Sequence, residues 1–435
     1  MRTLLRNAVL ADGRRVDVGV GGEGKVAEVG SRVDAAGYDR CYDLEGALLF
    51  RGFVDCHMHL DKALMLRGGT GQPVDPGPTT AAAPGRGTLS DAIALSRRLK
   101  ETFTRENVKE RARSMVDRAI GFGTTLIRTH VDIDPIVGLT GFEALLELRE
   151  EYGDRIQMQV VAFPQEGLVG LPEVQELMAQ ALRMGADAVG GIPAGDTEPR
   201  EHLRIIFDLA ERFSLPLDVH IDESADPEDL AIIDVAEETI RRNLQGRVTA
   251  GHCCTLDLLP PDRLEPVMDL IAEAEVNIVA LPSTNLYLQG RGDEFRVRRG
   301  LAPVRRLLDR GIRVAFASDN TQDAFNPFGR GDILDIAWLG AHCSSMGSEA
   351  ELDQVFGMVS VQAAAVLGVD HRVEVGAPAT LVALVASSPA QVIVDHPQAL
   401  FRLFRGRAIS GVREGRAYPV LTTHWEGCAD EDRRS

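Results

Sequence analysis

The chain of 435 residues is long enough for one large domain and a smaller one, and 44% hydrophobic with 26% charged content is that of a soluble globular protein. A formal net charge of −18 argues against a nucleic-acid partner, because contact with phosphates needs a basic surface; a small-molecule substrate fits better. No apolar run is long enough for a membrane span and the first residues lack a secretory signal, so a cytoplasmic location is expected, in keeping with six cysteines that follow no disulfide-framework spacing.

Residues 4–48 read as short alternating strands separated by Gly and Asp turns, and 373–419 read the same way, with strands expected in 376–384, 391–395 and 405–413. Terminal segments of like pattern can pair. A small β-sandwich domain built from both termini, 1–50 and 371–422, is therefore expected, followed by a charged tail at 423–435. Between them, in 51–370, short β-branched apolar runs alternate with amphipathic stretches. Strands are expected at 51–59, 124–132, 156–164, 186–193, 216–223, 248–253, 276–284 and 313–320, with helices such as 143–152, 171–184, 200–213, 229–243 and 264–274. Eight strands alternating with helices imply parallel pairing and a closed (β/α)8 TIM-type barrel. The first crossover, 62–122, is long, and its Gly/Pro/Thr-rich part at 68–87 reads as an extended loop over the barrel mouth or as a surface linker.

In such barrels the chemistry sits at the C-terminal ends of the strands. The first strand ends in His57 and His59, and because alternate strand residues share a face, both imidazoles can reach one divalent cation. For that pair alone, solvated or core histidines are the alternative. The fifth strand ends with His220 and Glu223, the sixth with His252, and the eighth with Asp319 and Asn320. Four of the ten histidines thus terminate apolar strands, a pattern that packing does not explain. Three histidines and one carboxylate can hold a cation and leave a position for water, whose pKa the cation lowers toward neutrality. Glu223 is placed to carry a proton between water and a substrate nitrogen, His252 to stabilise a tetrahedral centre, and Asp319 to accept a proton as well. A bridged two-metal site commonly uses a carboxylated lysine at the end of the fourth strand. That strand ends Gly-Gly-Ile-Pro193 and no lysine follows Lys109, so one ion is expected.

Other polar residues near these ends carry weaker signals. His130 suits a group behind the ligands or a hydrogen-bonded core histidine. Asp61 and Lys62 brace the site or pair on the surface. Cys253 and Cys254 read as small packing residues. Arg296, Arg298 and Arg299 solvate a loop or brace a subunit contact.

Taken in order, Phe53-Val-Asp-Cys-His-Met-His-Leu-Asp61, Arg128-Thr-His-Val-Asp132, Val161-Ala-Phe-Pro-Gln-Glu-Gly167, His220-Ile-Asp-Glu223, Leu288-Gln-Gly-Arg291, Arg298-Arg-Gly300 and Ser318-Asp-Asn320 resemble the amidohydrolase superfamily and, within it, the bacterial cytosine deaminase group. The resemblance covers nearly the whole chain. It implies that His57, His59, His220 and Asp319 bind one divalent metal ion, zinc or iron, that Glu223 shuttles protons, that His252 assists the hydroxide, and that Gln165 hydrogen-bonds the ring amide of a small heterocyclic substrate. A homo-oligomer is also expected. Two positions depart from the cytosine deaminase pattern: Asn320 stands where a second aspartate follows the metal aspartate, and Phe325 where a tryptophan is usual. Asparagine can donate and accept but carries no charge, so recognition of the ring must differ. Asn320 is similar to the N-isopropylammelide amidohydrolases, which remove alkylamines from triazines, whereas Glu223 and Leu288 to Arg291 resemble the deaminase side. The expected activity is hydrolytic deamination of a cytosine-like aminopyrimidine or related ring. The alternative is N-dealkylation or amide hydrolysis on an aminotriazine-like ring, and a non-catalytic barrel would have no use for Glu223 and His252.

Overall fold

Eight parallel strands succeed one another in chain order: Phe53–Met58, Thr124–Asp132, Gln157–Phe163, Ala188–Gly191, Leu217–Ile221, Val248–His252, Asn277–Ala280 and Val314–Phe316. Such strands carry helices on one face and packed side chains on the other, so their apolar runs are buried without alternation; all nine residues of Thr124–Asp132 are buried. A bridge between Met58 and Asp319 joins the last strand to the first and completes the expected (β/α)8 barrel. The computed structural model describes residues 1–66, 89–224, 226–291, 293–295 and 297–409, with the backbone at 412–413 and 416–417. The 68–87 segment and the 423–435 tail lie outside the described residues.

The outer helices form for local reasons. Pro199–Phe213 begins with proline in its first turn, buries Leu203, Ile206, Phe207 and Ala210 at helical spacing, and stops at Ser214 in the left-handed region. Each large apolar side chain so buried contributes about 1.5–3 kcal/mol. Turn chemistry also shortens two strands relative to the sequence reading. The seventh ends at Ala280 because Pro282 opens the helix Pro282–Leu288. The fourth is only Ala188–Gly191, where a Cβ on Gly190 would lie 2.8 Å from the Ala162 carbonyl oxygen and one on Gly191 2.4 Å from Ile206 Cδ1. No side chain projects from those two positions toward the strand end.

The two termini meet in a separate sheet. Its strands run Arg407–Ala408, Ala399–Phe404, Leu381–Leu384, Leu48–Phe50, Thr3–Val9, Arg15–Val20 and Val26–Gly30, with Arg40–Asp43 also pairing with Thr3–Val9. Leu5, Val18, Leu49, Leu381 and Phe401 share its core. Two expectations are corrected: Arg405 and Gly406 form the turn before Arg407–Ala408 and do not open a strand, and 391–395 lies in the helix Pro389–Asp395. The Ser388 side chain accepts the Gln391 N–H and Pro389 occupies the first turn, a helix-start signal that outweighs the β-branched run. No helix among the described residues is long and apolar enough to cross a membrane.

Candidate active site

Strand periodicity puts Asp55, His57 and His59 on one face of the first strand, and the barrel brings them to the ends of the fifth and eighth. His220 Nε2 lies 3.1 Å from His57 Nε2 and 3.1 Å from His59 Nε2. Asp319 Oδ1 is 3.7 Å from the first of these and 3.4 Å from the second. A cation bonded to four such atoms at about 2.0–2.1 Å separates tetrahedral ligands by roughly 3.3–3.4 Å, so the donor set fits one ion. Hydrogen bonding does not account for the cluster, because His220 Nε2 has at most one hydrogen to share between two neighbours. Both carboxylate oxygens of Asp319 are likewise buried with no hydrogen-bond partner among the described residues. Burial, then neighbouring imidazoles, hold His57 and His220 far below the usual histidine pKa; burial and the Lys62 ammonium do the same for His59. All three are therefore neutral, the form that ligates metals.

Behind these donors sits a buried ionic layer. Asp218 Oδ1 lies 3.2 Å from His130 Nε2 and 4.0 Å from His57 Nδ1, while Oδ2 accepts from Arg128 Nη1 at 2.8 Å. The His130 ring packs 4.1 Å from that of His57, centroid to centroid, so His130 is a core histidine backing a donor. At 4.0 Å the Asp218 carboxylate lies beyond hydrogen-bond reach of His57 Nδ1 and acts on that ring through its charge.

In front of the donors opens a cavity of about 580 Å³, lined by His59, His220, Glu223, His252, Gln165, Asn320 and Phe325 among others. Glu223 Oε1 lies 3.5 Å from His252 Nε2. Burial, helped by the charge of Asp319, pushes the Glu223 carboxyl up to about 8. Its loop is held by Gln289, whose Nε2 donates to the Glu223 carbonyl at 2.7 Å, and by Asp222, whose carboxylate accepts from the N–H groups of Ala231 and Ile232 at the start of Ala231–Arg241. His252 adopts φ 70°, and burial pushes it down to about 4. Asn285 Nδ2 lies 2.9 Å from His252 Nδ1. Donation there leaves Nε2–H directed toward Glu223.

Gln165 follows the third strand, and its Oε1 accepts from Lys62 Nζ at 2.9 Å. Asn320 donates through Nδ2 to Asp323 Oδ2 at 2.7 Å, and Asp323 Oδ1 accepts the N–H groups of Phe325 and Asn326. That donation uses one of the two Nδ2 hydrogens of Asn320, whose side chain also lines the cavity. Phe325 packs with Ala92 and Leu288.

Every residue singled out from the sequence as metal-binding or catalytic falls in this one cluster, and Gln165, Asn320 and Phe325 line its cavity. Of the two readings of Asp61 and Lys62, the surface pair does not hold: both are buried, with Lys62 held by Asp132. Cys253 and Cys254 are buried free thiols. Arg298 pairs with Asp293 and Arg299 donates to the Cys343 carbonyl, while Arg296 lies outside the described residues. Sequence reasoning missed Asp218, Asp323 and Asn285. Asp218 was within reach, since it shares a strand face with His220.

Residues 40–400 match the amidohydrolase family, and the chain belongs to it. It is similar to the N-isopropylammelide isopropyl amidohydrolase of Pseudomonas sp. (strain ADP), 30% identical over 411 residues, covering 93% of this chain and 96% of that one. The pterin deaminase of Rhizobium rhizogenes is 30% identical over 344 residues, covering 78% of this chain and 75% of that one. Among solved structures, the 5-methylcytosine deaminase from Klebsiella pneumoniae liganded with 5-fluorocytosine superposes with a TM-score of 0.84 at 30% identity, covering 96% of this chain and 99% of that one.

Proposed function

We propose that this protein is a metal-dependent hydrolytic deaminase that converts an exocyclic amine on a small nitrogen heterocycle to a carbonyl, releasing ammonia. The observation that carries this reading is Glu223: a carboxyl that is not needed as a donor stands at the cavity wall 3.5 Å from His252 Nε2, beside the donors His57, His59, His220 and Asp319. His57, His59, His220 and Asp319 would hold one divalent ion, zinc or iron. Bound there, the ion would supply Lewis acidity and lower the pKa of water. Glu223, whose pKa is raised, is suited to take a proton from the attacking water and give it to the ring nitrogen beside the reacting carbon. His252 donates through Nε2–H to the oxygen added at that carbon, and Asp319 takes the second proton from that oxygen and passes it to the amine, which leaves as ammonia. Gln165, Asn320 and Phe325 orient the ring. The deaminases among the relatives support this reading.

A second reading, removal of an alkylamine from a triazine, is favoured by Asn320 and by the N-isopropylammelide relative. Metal analysis with parallel assays for ammonia and alkylamine release over aminopyrimidines, pterins and triazines separates the two. Full turnover after metal removal, or no amine released from any ring, would discard both.

A further inference from the structure

The chain contains four lysines, and two of them, Lys62 and Lys100, are buried beside the cavity. Lys62 Nζ donates to Asp132 Oδ1 at 2.8 Å and to Gln165 Oε1 at 2.9 Å. Lys100 Nζ holds the other oxygen of Asp132 at 3.0 Å and also donates to Asp134 at 2.6 Å and Glu166 at 2.9 Å. Asp61 accepts the backbone N–H of Lys62 at 2.9 Å and that of Asp132 at 3.0 Å. The ammonium of Lys62 is therefore fixed from several sides. A buried network of this kind is not needed for stability, since well-packed apolar residues commonly serve as well.

Its chemistry does something that packing would not. An ammonium has three donors and no acceptor, so only the oxygen of the Gln165 amide can face it; the amide turned over would set N–H against N–H in a buried place. We propose that Lys62 is a positioning residue that commits the Gln165 amide N–H to the cavity. The site then selects rings that present an acceptor there, such as a carbonyl oxygen, and rejects rings that present an amine. Asn320, which lines the same cavity, makes no such choice, because its donation to Asp323 uses one of two Nδ2 hydrogens. The selected edge is thus an acceptor where it meets Gln165, and this inference rests on the deaminase reading of the same cavity.

The test uses two probes with the same 4-amino group, cytosine with an oxo group at C2 and 2,4-diaminopyrimidine with an amine there. Dissociation constants are measured calorimetrically on the metal-loaded protein with every chain also carrying Glu223→Gln, which keeps the metal and slows turnover of the probes. The native protein is expected to prefer cytosine by at least about tenfold, the scale on which a site built for a hydrogen bond rejects a mismatched partner. In Lys62→Met, at unchanged metal content and circular dichroism, the preference should shrink to within about threefold as the amide becomes free to turn. Should Lys62→Met fail to fold, Gln165→Glu decides, since a carboxylate beside Lys62 only accepts and should reverse the preference. Equal affinities in the native protein, no binding of either probe, or an unchanged preference in a folded variant overturns the proposal. Ammonia release over the wider panel is scored separately: release with equal probe affinities keeps the deaminase reading and discards the role of Lys62, and the converse result does the opposite.

Discussion

The backbone N–H of Asp319 donates to the carbonyl of His57 at 2.8 Å, so two of the proposed metal ligands also join the last barrel strand to the first. The seam continues on both sides, with Ser318 N–H donating to Asp55 Oδ1 at 3.1 Å and Leu64 N–H to the Thr321 carbonyl at 3.0 Å. The eighth strand is only Val314–Phe316, which leaves few ladder bonds to hold it. A cation shared by His57 and Asp319 would therefore brace the weakest joint of the barrel.

Metal removal should accordingly lower thermal stability as well as activity. A ligand that binds only the folded chain contributes about 2.7 kcal/mol when its free concentration is 100-fold above its dissociation constant. Calorimetry with and without a chelator, followed by readdition of zinc or iron, measures the change. A melting temperature indifferent to chelation would show that the four donors hold no ion.

Glu223→Gln should retain the metal and lose turnover by at least about 100-fold, the usual scale of general acid–base help. It should also change how the metal-free chain responds to pH. The folded carboxyl titrates at about 8 because burial opposes its charge, while the unfolded one titrates near ~4.3. The stability linked to Glu223 is therefore complete below the unfolded value and is lost as pH rises to the folded one. The Gln variant, which has nothing to ionise, should gain on the native protein through that window and run parallel above it. Parallel denaturation curves across the whole range would mean that Glu223 is solvated.

A third expectation follows from Gly251, on the sixth strand. A Cβ there would lie 3.0 Å from His57 Cε1 and 3.3 Å from Nδ1, so alanine must displace the imidazole by a few tenths of an ångström. His57 is packed against His130 and cannot easily yield. Gly251→Ala should fold, keep its circular dichroism and bind metal at least about tenfold more weakly, the range found when a group that supports a ligand is lost. Competition with a coloured chelator gives the affinity, and native-like retention would show that His57 can adjust.

Asn320→Asp would set a second carboxylate against Asp323, where the amide now donates at 2.7 Å. Like charges at that distance share one proton, so the pair should add an ionisation near neutral pH to the kcat/KM profile. With a charge available at 320, preference should move toward cytosine by roughly tenfold or more at unchanged metal content. An unaltered ranking of rings and an unaltered profile would show that residue 320 does not address the substrate.

What the sequence disclosed follows from the range of the interactions involved. His57, His59, His220, His252 and Asp319 were legible because strand alternation and apolar runs are local, and a polar residue at the end of such a run has few structural reasons to be there. The eight strands were legible on the same ground, with their ends misjudged where Pro282 or the Gly190–Gly191 pair intervened. The helix Pro389–Asp395 was missed because its β-branched residues were weighed above its Ser-Pro start. The partners of Lys62 were not legible: Asp132 and Gln165 lie 70 and 103 residues away, and only the closed barrel makes them neighbours. That the Gln165 amide oxygen meets Lys62 is likewise a tertiary fact.

The terminal sheet imposes an order on the chain's own synthesis. Leu48–Phe50 finds its full antiparallel partner only in Leu381–Leu384, meeting Thr3–Val9 at a single pair, Val9 with Leu48. Roughly 330 residues separate the two strands, and at about 5–20 residues per second their translation takes between a quarter of a minute and a minute. Throughout that interval the nascent chain carries an open strand edge made of Leu48, Leu49 and Phe50, all buried in the finished protein. Unpaired apolar edges recruit other chains. Faster translation shortens this exposure but crowds the barrel's eight strands into the same seconds, so yield in a heterologous host should depend on chaperone supply more than on codon choice at the start of the gene.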